Sequence, residues 1–235
     1  MVTSPPDSTI HIITHEFYPK RGGISMFTEE MARELSAKGF DVEVWAPRLN
    51  GSREKTWSFR LWRMPLKGTH DITCQIRLAY QLIRRRRELR RATVYLTEPG
   101  PMLTMMLLQQ FHAFRPKNLV LTFYGSEVLK FHRNRFLRFL TQRLIGYAQA
   151  ISVISQFTED LLLSHFPTAA PKIVRTSCAL RTDFEVVDRP REPAPSAQKT
   201  VILTVARLHP RKGQIETMEA LKSLSPADQK NIEYW

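Results

Sequence analysis

A chain of 235 residues with 43% hydrophobic and 24% charged side chains has the balance of a water-soluble globular protein, long enough for one large domain or two small ones. A chain of this length folds without staples, and its two cysteines, Cys74 and Cys178, match no metal-ligand spacing and point to a reduced, cytoplasmic protein rather than a secreted disulfide scaffold. The formal charge of +13 selects polyanionic partners: anionic lipid heads, nucleic acid or phosphorylated substrates.

Residues 10–13 read as a short buried strand, followed by a loop carrying Pro19, Gly22 and Gly23. A helix is expected over 24–38, where Phe27, Met31 and Leu35 recur every four positions, with Gly39 as its C-terminal cap. Residues 42–46 return as a strand, which makes a βαβ unit. The alternation continues with strands expected at 59–64, 94–97, 119–123, 150–154 and 173–176. Helices are expected at 72–90, 102–114 and 136–147, and one more is capped by Ser155 with Glu159 and Asp160 in its first turn. This is the pattern of a doubly wound, Rossmann-like α/β domain with a parallel sheet, whose strands present their C-terminal loops to one crevice.

The first domain is expected over residues 1–187. Residues 188–198 then form a Pro-rich linker with Pro190, Pro193 and Pro195, and residues 199–235 open a second Rossmann-like domain. That second part offers a strand at 201–206, a helix at 214–224 and a strand beginning at Ile232, fewer residues than the roughly 50 a domain needs. Its helix carries an apolar stripe, Ile215, Met218, Leu221 and Leu224, expected to lie loosely on the first domain or to drive association. The linker is the expected site of proteolysis.

Two stretches concentrate the positive charge. Arg84, Arg85, Arg86 and Arg87 with Arg90 and Arg91 close one helical pattern. Residues 132–143 interleave Arg133, Arg135, Arg138 and Arg143 with Phe136, Leu137, Phe139 and Leu140, the sharper pattern for a membrane contact. A plain solvated helix face remains open for both. Nucleic acid has little support, because aromatic residues are not interleaved with the first cluster and no nucleic-acid fold signature occurs. The amino terminus has no signal-peptide pattern, and the uncharged windows at 99–114 and 144–158 fall short of a bilayer span.

Three loops carry chemistry. The segment VILTVARLHPRKG at 201–213 runs a strand into a basic loop and a helix N-terminus, where Arg207 and Lys212 with unpaired N–H groups suit a phosphate. Gly22 and Gly23 stand directly before the first helix, where they serve either a close ligand approach or a simple tight turn; His15 and Glu16 face the same crevice. Tyr124, Gly125, Ser126 and Glu127 follow another strand. Either Tyr124 and Glu127 hydrogen-bond a ligand that Gly125 lets approach, or Ser126 caps a helix with Glu127 in its first turn. There is no Asp-x-Asp pair, nor any GxxxxGK[ST], HExxH, GxSxG or CxxC, so no metal site is expected.

Taken in order, FYPKRGGISMFTEEMARELSAKGFDVEVWAP at 17–47, TFYGSE at 122–127 and VARLHPRKG at 205–213 resemble family 4 glycosyltransferases of the GT-B architecture, two Rossmann-like domains facing across a cleft. The resemblance covers nearly the whole chain. It implies transfer of a sugar from a nucleotide-sugar, with retention and without a metal or other cofactor, to a glycan, lipid or small-molecule acceptor. The setting implied is the cytoplasm, with peripheral contact at the inner face of the membrane. It implies that Gly22 and Gly23 lie near acceptor and donor phosphates and that Arg207 and Lys212 bind the diphosphate. Tyr124 stands where many members have a histidine that contacts the donor sugar, which makes it the residue expected to position that sugar; Gly125 and Glu127 belong to the same substrate-binding loop. The resemblance also implies a chain that stops early in its donor domain and has little or no activity alone. The alternative is a non-enzymatic basic module that binds anionic membranes.

Overall fold

The structure, a computed structural model, describes residues 9–20, 22–49, 51, 54–67, 71–177, 199–206 and 208–235. The chain divides into two compact units, Met1–Arg181 and Thr182–Trp235. The expected linker at 188–198, Cys178 and Arg207 lie outside the described residues.

Seven strands carry the first unit: β1 (Ile10–Ile13), β2 (Val42–Pro47), β3 (Arg60–Met64), β4 (Thr93–Leu96), β5 (Asn118–Phe123), β6 (Ala150–Val153) and β7 (Ile173–Arg175). They form one sheet in the order β3-β2-β1-β4-β5-β6-β7, each neighbouring pair parallel. The helices between them are α1 (Gly23–Ala37), α2 (Ile72–Arg84), α3 (Arg86–Leu89), α4 (Pro99–Leu108), α5 (Ser126–Arg133), α6 (Arg135–Tyr147) and α7 (Gln156–His165). The doubly wound α/β domain is therefore the observed architecture. Every residue of β1 and β2 is buried, as strands covered on both faces require. Ile12 and Val44 pack with Ala32 of α1, while Ile13 and Trp45 join a larger core with Leu78 of α2 and Met102 of α4.

Several local expectations were decided or corrected. The helix expected over 72–90 breaks at Arg85, whose guanidinium turns inward over the rings of Trp45 and Trp62, at 4.5 and 4.7 Å from their centroids. The helix expected from 102 starts earlier, at Pro99, because proline is tolerated in a first turn that needs no N–H donor, and it ends at Leu108 before a 3-10 turn at His112–Phe114. Ser126 does not cap α5; Gly125 does, at φ 123°. Ser155 does cap α7, accepting from Thr158 N at 3.2 Å, as expected, but Glu159 is the acidic residue of its first turn.

The second unit consists of β8 (Thr200–Ile202), α8 (Gln214–Lys222), α9 (Pro226–Lys230) and β9 (Ile232–Tyr234). The strand expected over 201–206 is shorter because its partner among the described residues, β9, offers only three positions, from Thr200↔Ile232 to Ile202↔Tyr234. No described residue from 199 onward is buried, and Ile215, Met218 and Leu224 of the expected stripe are exposed.

Candidate functional site

The strand order reverses direction between β1 and β4, and open parallel sheets bind ligands at such a switch point, outside the C-terminal strand ends. Three chain segments meet there: the loop after β1, the residues after β4, and the loop after β5. Glu98, two residues after β4 and fully buried, ties the first two together. Its Oε1 accepts from Thr14 Oγ1 at 2.8 Å, from Glu16 N at 3.0 Å, and from His15 N. A second tie runs between Thr28 of α1 and Thr97, whose hydroxyls lie 3.0 Å apart.

The loop after β5 is held the same way, by a carboxylate from its own helix. Glu127, 4% exposed, accepts through Oε1 from Gly125 N at 3.2 Å and from Tyr124 N. Gly125 is required here, since φ 123° is closed to residues with a side chain. Thr158 Oγ1 donates to Tyr124 O at 3.2 Å, and the Tyr124 ring meets Phe27 of α1 edge-on at 5.9 Å. Tyr124, Gly125 and the α1 N-terminus are thus brought to one place. Glu127 shapes the loop that displays Tyr124, with Oε1 committed to two backbone donors.

Gly22 and Gly23 open α1. Gly22 is the N-cap in extended conformation, φ −171° and ψ 168°, which any residue adopts, so no tight turn demands glycine. A Cβ on Gly23 meets nothing within 4 Å, and one on Gly22 meets only Glu16 Oε2 at 3.6 Å. What the pair leaves is open space before a helix end whose first turn holds no acidic residue. Of the neighbours singled out from sequence, His15 is buried and Glu16 faces Lys20 at 3.8 Å.

In the second unit Lys212 is exposed and ends a 3-10 turn, Pro210–Lys212. Gly213 follows at φ 73° as the N-cap of α8, its carbonyl accepting from Thr217 Oγ1 at 2.8 Å. The strand–basic loop–helix reading of this segment therefore holds at Lys212, whereas Arg207 cannot be placed against it, being outside the described residues.

Glu98 escaped sequence reading. Its one signal is a carboxylate placed between a strand and the Pro99–Gly100–Pro101 helix start, and its partners lie more than 80 positions away. Among the described residues one cluster, His11, Glu43 and Glu88, has metal-ligand spacing. Arg85 already stands on both carboxylates, at 3.0 Å from Glu43 and 2.6 Å from Glu88, and the cluster sits toward the start of β1 and β2, away from the crevice.

The profile of Glycosyltransferase Family 4 matches residues 21–184. A GDP-mannose-dependent alpha-(1-6)-phosphatidylinositol monomannoside mannosyltransferase of Mycolicibacterium smegmatis is 26% identical over 223 residues, covering 91% of this chain and 56% of its own. Among solved structures, WaaG, a glycosyltransferase involved in lipopolysaccharide biosynthesis, matches with a TM-score of 0.59 at 14% identity, over 96% of this chain and 62% of its own. Alr3699/HepE of Anabaena, in complex with UDP and glucose, matches with a TM-score of 0.63 at 12% identity, over 97% of this chain and 60% of its own. The chain spans about three fifths of the length of these proteins.

Proposed function

The chain belongs to Glycosyltransferase Family 4, and from that premise we propose that it forms the acceptor-binding side of an enzyme that moves a sugar from a nucleotide-sugar to a glycan, lipid or small-molecule acceptor. The observation that carries this reading is the crevice at the β1/β4 switch point, where Glu98 and Glu127 fix two loops and Gly22 and Gly23 leave open space before α1. Fixed loops supply position, which is most of what a transferase gives an acceptor hydroxyl. Tyr124 positions the donor sugar as part of the loop that Glu127 fixes. The leaving diphosphate is stabilised by Lys212, by Arg207 and by the N–H groups that open α8. Two cations and a helix end do there what a divalent ion does elsewhere, in keeping with a sequence without an Asp-x-Asp pair. The sugar is transferred with retention, at the cytoplasmic face of the membrane.

The isolated chain is expected to bind nucleotide but to turn over little donor, because the described residues around Lys212 include no buried core to hold that loop rigid. Calorimetry with UDP and GDP, alongside release of nucleotide from UDP-glucose and GDP-mannose, tests both parts. Lys212→Ala should weaken nucleotide binding by about tenfold, the worth of one charge-assisted contact. An unchanged affinity removes Lys212 from the donor site, and brisk sugar transfer by the isolated chain overturns its expected inactivity.

A second reading, a non-enzymatic module that docks on anionic membranes, is favoured by two helix faces. On α2, Ile72, Ile76 and Tyr80 are 73, 63 and 59% exposed beside Arg77 and Arg84. On α6, Phe136 and Phe139 are 61 and 55% exposed beside Arg135, Arg138 and Arg143. Exposed apolar rows flanked by arginine suit an anionic bilayer surface. No helix among the described residues is long and apolar enough to cross a membrane. The same faces would bring the enzyme to a lipid acceptor.

A further inference from the structure

A cavity of about 200 Å³ lies beside the β1–α1 loop, lined by His15, Phe17, Tyr18, Pro19 and Lys20, by Pro47 and Arg48 at the end of β2, and by Lys67 beyond β3. That is several times the roughly 30 Å³ that one water occupies in the liquid. Among the described lining residues, three are cationic side chains and none is a carboxylate. Lys20 is partly balanced by Glu16 at 3.8 Å. Arg48 and Lys67 have no ion-pair partner among the described residues, and both face this one cavity, where Arg48 N donates to Leu66 O at 3.0 Å and fixes the exit of β2 against the exit of β3. Like charges that face one cavity repel, and an anion between them removes the repulsion.

We propose that this cavity seats a phosphate group carried by the acceptor, as a phosphomonoester or phosphodiester. The forked guanidinium of Arg48 matches two phosphate oxygens, and Lys20 and Lys67 reach the others as point charges. The lining loop runs from Lys20 to Gly22 and Gly23 within three residues, so a phosphate seated here leaves the rest of the acceptor over the open helix end. Naming the ligand an acceptor rests on the transferase reading; the anion site itself does not.

Calorimetry on the full chain with glycerol 3-phosphate and with glycerol, and sedimentation with phosphatidylinositol and phosphatidylcholine vesicles, tests the proposal. Glycerol 3-phosphate should bind where glycerol does not, with affinity falling as salt rises from about 0.05 to about 0.5 M. Arg48→Ala and Lys67→Ala should each weaken binding about fivefold or more. Both residues are exposed and neither has an ion-pair partner among the described residues, so neither substitution should disturb folding. Arg90→Ala, in a different basic cavity lined by Arg87, Arg90 and Arg91, should leave binding unchanged. A loss on the soluble ester identifies a phosphate ester as sufficient; a loss seen only on phosphatidylinositol vesicles identifies a lipid headgroup. The proposal is overturned if neither probe binds, if the two crevice variants bind like the parent, or if Arg90→Ala weakens binding equally. Phosphate-ester binding undiminished in Arg48→Ala and Lys67→Ala, in a chain that still binds nucleotide, overturns the phosphate seat and leaves the transferase reading standing. Phosphate binding lost in both variants, in a chain that binds no nucleotide, does the reverse.

Discussion

Glu43 sits opposite His11 on one side of the sheet and opposite Arg60 on the other. His11 Nδ1 and Trp45 Nε1 reach its Oε2 at 3.0 and 2.8 Å, and Arg85 stands at 3.0 Å. Burial opposes ionisation there, but the hydrogen bonds from His11 and Trp45 and the charge of Arg85 outweigh it and hold the carboxyl at about 2, against an ordinary 4.5. Because the folded value lies below the unfolded one, this stabilisation is complete above about pH 4.5 and is lost as pH falls toward 2, about 3 kcal/mol in all. Urea unfolding of Glu43→Gln should therefore show lower stability at neutral pH and a flatter acid limb; parallel curves for parent and variant contradict it. None of this was legible in sequence. Arg85 reads there as one of a run of surface arginines and His11 as a polar interruption in a strand, because the partners that give them meaning lie on other elements. The need for glycine at 125 was legible, since a loop glycine directly before a helix carries its signal locally.

Elements with a clean period were easier. The runs at 10–13 and 42–46 and the four-residue spacing of Phe27, Met31 and Leu35 report burial directly, and the strand and helix bounds follow to within a residue or two. Periodicity says which positions could be apolar faces, not which face is covered. It made residues 132–143 the sharper membrane candidate and left 72–90 as a basic helix end, whereas α2 also displays an exposed apolar row. Sedimentation with vesicles rich in phosphatidylglycerol measures the weight of each face. Ile76→Glu on α2 should reduce binding roughly tenfold, the scale of losing one buried aliphatic side chain at about 1.5 kcal/mol. Phe139→Glu should act similarly on α6, and neutral vesicles should bind far less than anionic ones. Equal binding to neutral and anionic vesicles, or none at any salt, removes the membrane reading.

At the scale of the whole molecule the two units differ in how much they bury. The first surrounds a seven-stranded sheet with two apolar clusters; the second pairs two three-residue strands and leaves Val205, Leu208 and Trp235 at 86, 92 and 69% exposure. Local opening is governed by such burial, so amides of β8 should exchange with deuterium far faster than those of β1, β4 and β5 in the same sample. Comparable protection in both units contradicts that expectation. The alternation of strands and helices made the sheet's architecture legible, but not the knot at its centre, which joins positions more than 80 residues apart. Glu98 makes the path of the loop after β1 depend on the end of β4 and leaves the β2 and β3 exits, with Arg48 and Lys67, outside that bond. Inherited change can therefore rewrite the ligand preference of those exits, or lengthen them, while the crevice floor keeps its shape. A lineage that alters what those exits bind need not rebuild the crevice, and one that loses Glu98 would forfeit that freedom.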